Sequence, residues 1–330
     1  MPSRYEEIDL SQVHRISIDG RASKVTVDDF AKSYAPDEPI SGFFDALPSL
    51  LAAAEFRRLV GEVGEAIVGK RTVLMLLGAH VVKCGLSPVL LDLAKRGAVT
   101  AFALTGAGAI HDFEIAMWGK TSEDVAAGIV EGSFGMAKET GQRFNEATNR
   151  GAAAGLGLGE ALGKWIVQQK AVHGEASLLA GAYELGIPVT VHVAIGTDIV
   201  HQHPEAEGAA IGQTTLRDFR IFANVVAGLH RGAVLNVGSA VVLPEVFIKA
   251  LSLARNTGHT VDDFTAANFD MIRHYRPQEN VLNRPTGGRG IMIIGHHELM
   301  IPLYAAALKS WLAERSEREG GGSGGRPAWE

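Results

Sequence analysis

Histidines, carboxylates and one thiol recur in this chain directly behind short apolar runs. His80, Lys83 and Cys84 follow one run, and His111, Asp112 and Glu114 follow a second. Thr197, Asp198, His201 and His203 follow a third, and His296, His297 and Glu298 close another. Histidine titrates near neutral pH, so these positions are candidates for proton transfer or ligand binding, with the carboxylates orienting them or gripping a cation. The candidate catalytic set is His111, Asp112, Glu114, His201, His203 and His297. His201 and His203, or His296 to Glu298, would also suit zinc, nickel or iron, whose ligands are neutral imidazole and carboxylate. Neither group has the helical H-E-x-x-H spacing, and the same histidines serve equally as hydrogen-bonding groups, so no metal is assigned. Cys84 reads as a small buried hydrophobe. Ser133 and Ser239 lie in no G-x-S-x-G elbow.

The elements that must position these residues are strands and crossover helices. Residues 72–77 (TVLMLL) form a continuous apolar run with Gly78 behind it, the pattern of a strand buried on both faces. Residues 98–104 form the second strand, which ends in Thr105-Gly106-Ala107-Gly108. Glycines there let a phosphate or ribose approach the backbone. His111 stands where a G-x-G-x-x-G fingerprint needs its last glycine, so this is not that motif. The third strand lies in VTVHVAIGTDIVHQHP, the fourth at 233–238 and the fifth at 291–294. Helices are expected at 25–34, 41–70, 87–95, 122–140, 175–185, 216–229, 244–255, 261–272 and 299–313, with a long loop at 273–290. Residues 144–172 read as helical but carry five glycines, either for close helix packing, across a subunit interface for instance, or as a loop joining two helices. Strands that alternate with helices and end in glycine plus polar residues predict a doubly wound, mostly parallel α/β sheet of Rossmann type, with helices on both faces. The expected division is an N-terminal extension at 1–40, one α/β domain at 41–315 and a flexible tail at 316–330.

Composition narrows the function classes. Of 330 residues, 46% are hydrophobic and 21% charged, the ordinary globular balance. The net charge of −6 and the absence of a basic stripe argue against nucleic acid as partner. No run of about 18 apolar residues predicts a membrane span. The polar N-terminus is unlike a secretory signal, and a single cysteine fits a reducing cytoplasm.

Four segments carry a family resemblance: GAHVVKCGLSPVLLDLAKRGAVTAFALTGAGAIHDFE, GIPVTVHVAIGTD, VLNVGSAVV and IMIIGHHELMIPLYAA. In order and spacing, from about residue 43 to 311, they resemble the deoxyhypusine synthase family. That family uses NAD to oxidise spermidine, forms an imine on a lysine and passes the aminobutyl group to a protein lysine. The resemblance implies NAD as cofactor, a small polyamine-type amine as substrate and a homotetramer. It implies NAD contacts from Gly78, Ala79, Thr105, Gly106, Ala107, Gly108, Asp198, Gly238 and Ser239, with His296 where the family has an acid near the adenosine.

The catalytic parts depart from the family. Its Trp-Gly-Lys segment is replaced by PQENVLNRPTGGRG, and no lysine occurs between Lys249 and Lys309. Its base histidine corresponds to Pro244, and its polyamine-gripping carboxylate corresponds to His203. Without the amine, the imine route has no nucleophile. The expected function is therefore an NAD-dependent oxidation or alkyl transfer on a small amine, other than deoxyhypusine synthesis. A metal-dependent hydrolase or isomerase, and a non-catalytic nucleotide-binding protein, are the alternatives.

Overall fold

The computed structural model describes residues 3–320. Six strands form one wholly parallel sheet: β1 (Val73–Leu77), β2 (Ala101–Thr105), β3 (Val189–His192), β4 (Ala233–Val237), β5 (Thr265–Asp270) and β6 (Ile291–Ile294). Their spatial order is β3-β2-β1-β4-β5-β6. The order reverses direction between β1 and β4, and ligands of open α/β sheets bind at such a switch point, beyond the carboxyl ends of the strands.

Thirteen helices surround the sheet among the described residues. The first five are α1 (Ile40–Ala46), α2 (Leu51–Val68), α3 (Ala79–Lys83), α4 (Ser87–Lys95) and α5 (Gly106–Trp118). Then come α6 (Val125–Glu131), α7 (Lys138–Ala153), α8 (Leu158–Gln168) and α9 (Leu178–Leu185). The last are α10 (Gly208–Ala227), α11 (Val242–Asn256), the single turn α12 (Tyr275–Pro277) and α13 (His297–Gly320). No described helix is long and apolar enough to cross a membrane. Strand side chains alternate between two cores. Met75, Leu77, Phe102 and Leu104 face one, with Phe113 of α5 and Tyr304 of α13. Leu74, Leu76 and Val234 face the other, with Phe222 of α10 and Phe247 of α11.

Several expected elements are corrected. Residues 265–270, expected to be helical, form β5. TAANFD has weak strand propensity, but pairing with β4 and β6 on either side overrides it. The 41–70 helix breaks at residues 47–50, where Pro48 sits, and runs unbroken through Gly61 and Gly64. The 122–140 helix stops at Gly132, which takes φ +73°. The region at 25–34 holds only a short turn, Val27–Asp29. The expected loop at 273–290 contains α12 and a π-helical turn, Gln278–Asn283. Residues 316–320 of the expected tail continue α13, and 321–330 lie outside the described residues.

The glycines between 144 and 172 divide the same way: a break at 154–157 separates α7 from α8, and the others pack inside the chain. A methyl group at Gly159 would overlap the Val189 carbonyl, and at Gly163 the Leu179 carbonyl. The edge strand β3 is fastened by Asp218 of α10, which is 1% exposed. Its Oδ2 accepts the Val191 N–H at 2.7 Å and the Gly159 N–H at 2.9 Å, so one carboxyl ties β3 to the start of α8. Burial drives this acid up to about 7 against those hydrogen bonds.

Asp218→Ala leaves buried donors unpaired and should cost about 3 kcal/mol in urea unfolding. A raised folded pKa stabilises fully below the unfolded value of 3.8, and that contribution is lost as pH rises through about 7. Asp218→Asn should therefore flatten the decline in stability measured across that interval.

Candidate functional site at the strand tips

Four contacts run as a continuous strip along the carboxyl edge of the sheet. At the switch point, a methyl group on Gly78 would overlap the Gly238 carbonyl, so the tips of β1 and β4 meet backbone to backbone. Gly238 takes φ +68°, and a Cβ there would lie 2.7 Å from Cε1 of His297. On the other side, a Cβ on Gly108 would lie 3.6 Å from Cα of Ala79, joining the β2 tip to β1. A methyl on Gly106 would overlap the Asp198 carboxylate, which joins the β3 tip to β2. The residues expected to contact NAD are thus neighbours along one edge, apart from His296, which is exposed in the turn after β6.

Each tip is held by its own chemistry. Thr105 caps α5, its Oγ1 accepting the Gly108 N–H at 3.2 Å. Asp198 accepts the Ala107 N–H and is buried against the helix start, and this burial raises it to about 6. The α5 terminus therefore already holds a carboxylate, which disfavours the phosphate expected at that glycine turn and leaves an acceptor suited to ribose hydroxyls. At β4, Ser239 Oγ accepts the Leu243 N–H at 3.2 Å, and buried Asn236 donates to the Ser239 carbonyl at 2.9 Å.

A cavity of about 810 Å³ opens beside the strip, between α5, α6 and the start of α7. His111, Glu114 and Asp198 line it, along with Trp118, Thr121 and Lys83. A hydrogen-bond chain organises its wall. Thr140 Oγ1 donates to Glu114 Oε1 at 2.8 Å, the Thr121 hydroxyl donates to Glu114 Oε2, and Thr121 Oγ1 lies 2.7 Å from His111 Nδ1. Because the Thr121 proton goes to Glu114, His111 must donate from Nδ1, which leaves Nε2 as an acceptor. Burial, with a smaller push from the Lys83 charge, lowers His111 to about 4, so its ring is neutral near pH 7.

Of the expected catalytic residues, His111 and Glu114 line this cavity; Asp112, His201, His203 and His297 do not. Asp112 is fully buried and accepts from Ser177 Oγ at 2.6 Å and from the Leu178 N–H at 2.7 Å, fastening the start of α9. His201 Nδ1 accepts the Gly196 N–H at 3.2 Å. His203 donates from Nε2 to the Gly135 carbonyl at 2.8 Å, with its ring against Gly141. His297, 1% exposed, lies beneath Gly238 with Nε2 3.2 Å from the Phe269 carbonyl. Among the described residues, neither His201 with His203 nor His296 with His297 and Glu298, the sequence's alternatives for a metal, forms a ligand group. Trp118, Thr121 and Thr140 were missed by sequence reading; the one available signal was Gly119, a left-handed helix stop (φ +68°) that turns the chain back so that Thr121 reaches His111.

No protein-family model and no curated protein matches the chain. Among solved structures it is similar to a conserved LOR/SDH-type protein of Methanococcus maripaludis S2, at 14% identity over 79% of this chain and 71% of that one, with a TM-score of 0.51. Unliganded AgrE aligns at 15% identity and TM-score 0.50 over 79% of this chain and 32% of its own, so the chain spans about a third of AgrE. AgrE is also known as a ternary complex with ornithine and NAD+, aligning at TM-score 0.49. A protein assigned as a deoxyhypusine synthase of Entamoeba histolytica aligns at 11% identity over 84% of this chain and 96% of that one, at TM-score 0.49. At such identities the likeness is one of fold: this parallel α/β architecture is shared with the LOR/SDH-type protein and AgrE.

His111 should titrate with a midpoint near 4 by imidazole NMR, as a ring protonated at Nδ1 at neutral pH. Lys83→Ala should move that midpoint upward, because it removes a charge that opposes protonation.

Proposed function

We propose that the protein is an NAD-dependent enzyme acting on a small cationic amine. The observation that carries the reading is the juxtaposition of a glycine-lined switch point with an acid-rich cavity on the same sheet edge. Gly78, Gly238 and Gly106 let the strand tips, the His297 ring and the Asp198 carboxylate close on one another where any Cβ would clash, so the tips meet without intervening side chains at the switch point where a dinucleotide would sit. Gly78, Ala79, Gly238 and Ser239 would hold it at the crevice, where α11 starts beyond β4 and turns its positive end toward the strand tips. Thr105, Gly106, Ala107 and Gly108 would flank it, with Asp198 accepting ribose hydroxyls. NAD, when bound, supplies a hydride acceptor. AgrE, with the same fold, has been solved with ornithine and NAD+, which accords with this pairing of cofactor and amine.

The chain's own residues supply the amine site. Glu114, Glu123, Glu139 and Asp198 line the cavity against Lys83 and Lys120, an acidic excess suited to a cation. Glu114, oriented by Thr121 and Thr140, grips the ammonium group. His111 accepts from it at Nε2. A neutral ring leaves the cavity's negative potential intact, whereas a charged imidazolium would repel the ligand. The segment from Tyr275 to Asn283 contains no lysine, so the reading needs no imine on that segment.

Calorimetry on the full chain should show NAD binding, and a screen of small diamines and basic amino acids should reveal a substrate through NADH absorbance. Glu114→Gln should raise the amine KM about tenfold and leave NAD affinity unchanged; no detectable NAD binding at millimolar concentration would overturn the proposal. An ionised Asp198 is the better hydroxyl acceptor, so NAD affinity should fall as pH drops through about 6, and Asp198→Asn should abolish that dependence.

A further inference from the structure

One cluster of chemistry-bearing side chains lies outside both the dinucleotide crevice and the amine cavity. His80 and Cys84 are four residues apart on and just beyond α3, whose last turn is closed by the Cys84 N–H donating to the His80 carbonyl at 2.9 Å. That spacing puts the imidazole and the thiol on one face of the turn. Glu298, in the first turn of α13 and 214 residues away in sequence, comes to the same point, with Cys84 Sγ 3.8 Å from its Oε2. One ligand atom from each of the three lies within 4.8 Å of the others.

We propose that His80, Cys84 and Glu298 bind a divalent metal ion at the tips of β1 and β6. A nitrogen, a thiolate sulfur and a carboxylate oxygen make a mixed donor set of borderline softness, which selects zinc and its surrogate cobalt over magnesium or calcium. Zinc–ligand bonds of about 2.0–2.3 Å bring donor atoms to within about 3–4 Å of each other. Closure from the observed spacing therefore needs only small rotations of the exposed His80 and Glu298 side chains. Three protein ligands leave a fourth position for water or a ligand, as in open zinc sites rather than closed structural ones. Without a metal the Cys84 thiol donates to Glu298 Oε2, so metal binding would release that proton.

The surroundings do not close the site. His296 Nδ1 lies 3.8 Å from Glu298 Oε1, a neighbour outside the ligand set and not hydrogen-bonded to it. The His80 ring packs edge-on at 5.8 Å from the ring of His297, the buried histidine beneath Gly238. The metal would therefore sit one ring away from the switch point. This proposal stands independently of the amine reading, because none of its three ligands lines that cavity.

Full-length, chelator-stripped protein titrated with cobalt(II) should take up one equivalent and develop the near-ultraviolet absorption of a thiolate–cobalt bond, and zinc(II) should then displace it. Cys84→Ser should eliminate that band. His80→Ala and Glu298→Gln should each weaken uptake at least tenfold; both positions are exposed, so these variants remain folded by circular dichroism. His201→Ala should bind as the unaltered protein does. Absence of saturable uptake would overturn the proposal, as would a cobalt complex whose spectrum and affinity survive Cys84→Ser.

Discussion

The tips of β1 and β4 touch backbone to backbone, and the rest of the site depends on that contact. Gly78 and Gly238 have no side chains there, so the two crossovers can leave the sheet on opposite sides of one crevice. A Cβ at either position would displace the β4 tip or the His297 ring beneath it. The parallel register from Val73–Ala233 to Leu77–Val237 sets the height at which the tips meet. The buried Asn236 side chain then holds the β4 turn, donating both to the Ser239 carbonyl and to Asn268 on the neighbouring strand.

Electrostatics divide the edge into regions. At the β2 and β3 tips, burial and the start of α5 compete over Asp198, and burial prevails, leaving an acid that titrates close to neutrality. In the adjoining cavity, a hydroxyl relay fixes the tautomer of His111 while burial keeps the ring uncharged. Beyond β1 and β6, thiol, imidazole and carboxylate gather at the surface. The first two regions share α5 and Asp198, whereas the third is built by α3 and the start of α13.

The likeness to solved structures fits this division. At 14 and 15% identity, the LOR/SDH-type protein and the aligned third of AgrE share only the fold with this chain. What a fold of this kind does is decided by the side chains at its edge. Here the lysine of the deoxyhypusine synthase pattern is absent, and Tyr275 to Asn283 form a short helix and a π-turn in its region. The chemistry proposed at this edge would rest on other groups, of which Glu114 and His111 face the cavity.

Much of the architecture was legible in the residues themselves. Doubly buried strands read as unbroken apolar runs, and glycine followed by polar residues marks the end where a parallel strand meets its crossover. Five strands and the glycine strip could be read that way because the signal is local. β5 could not, since an alanine- and asparagine-rich segment becomes a strand only when neighbours on both sides supply its hydrogen bonds. Side-chain direction was equally out of reach. His111, Asp112 and Glu114 are nearly adjacent in sequence, yet the helix turns two of them into the cavity and the third into the core beneath α9. The meeting of His80 and Cys84 with Glu298 was set by the placement of β1 and β6 tips and the start of α13, a long-range arrangement that local sequence does not encode.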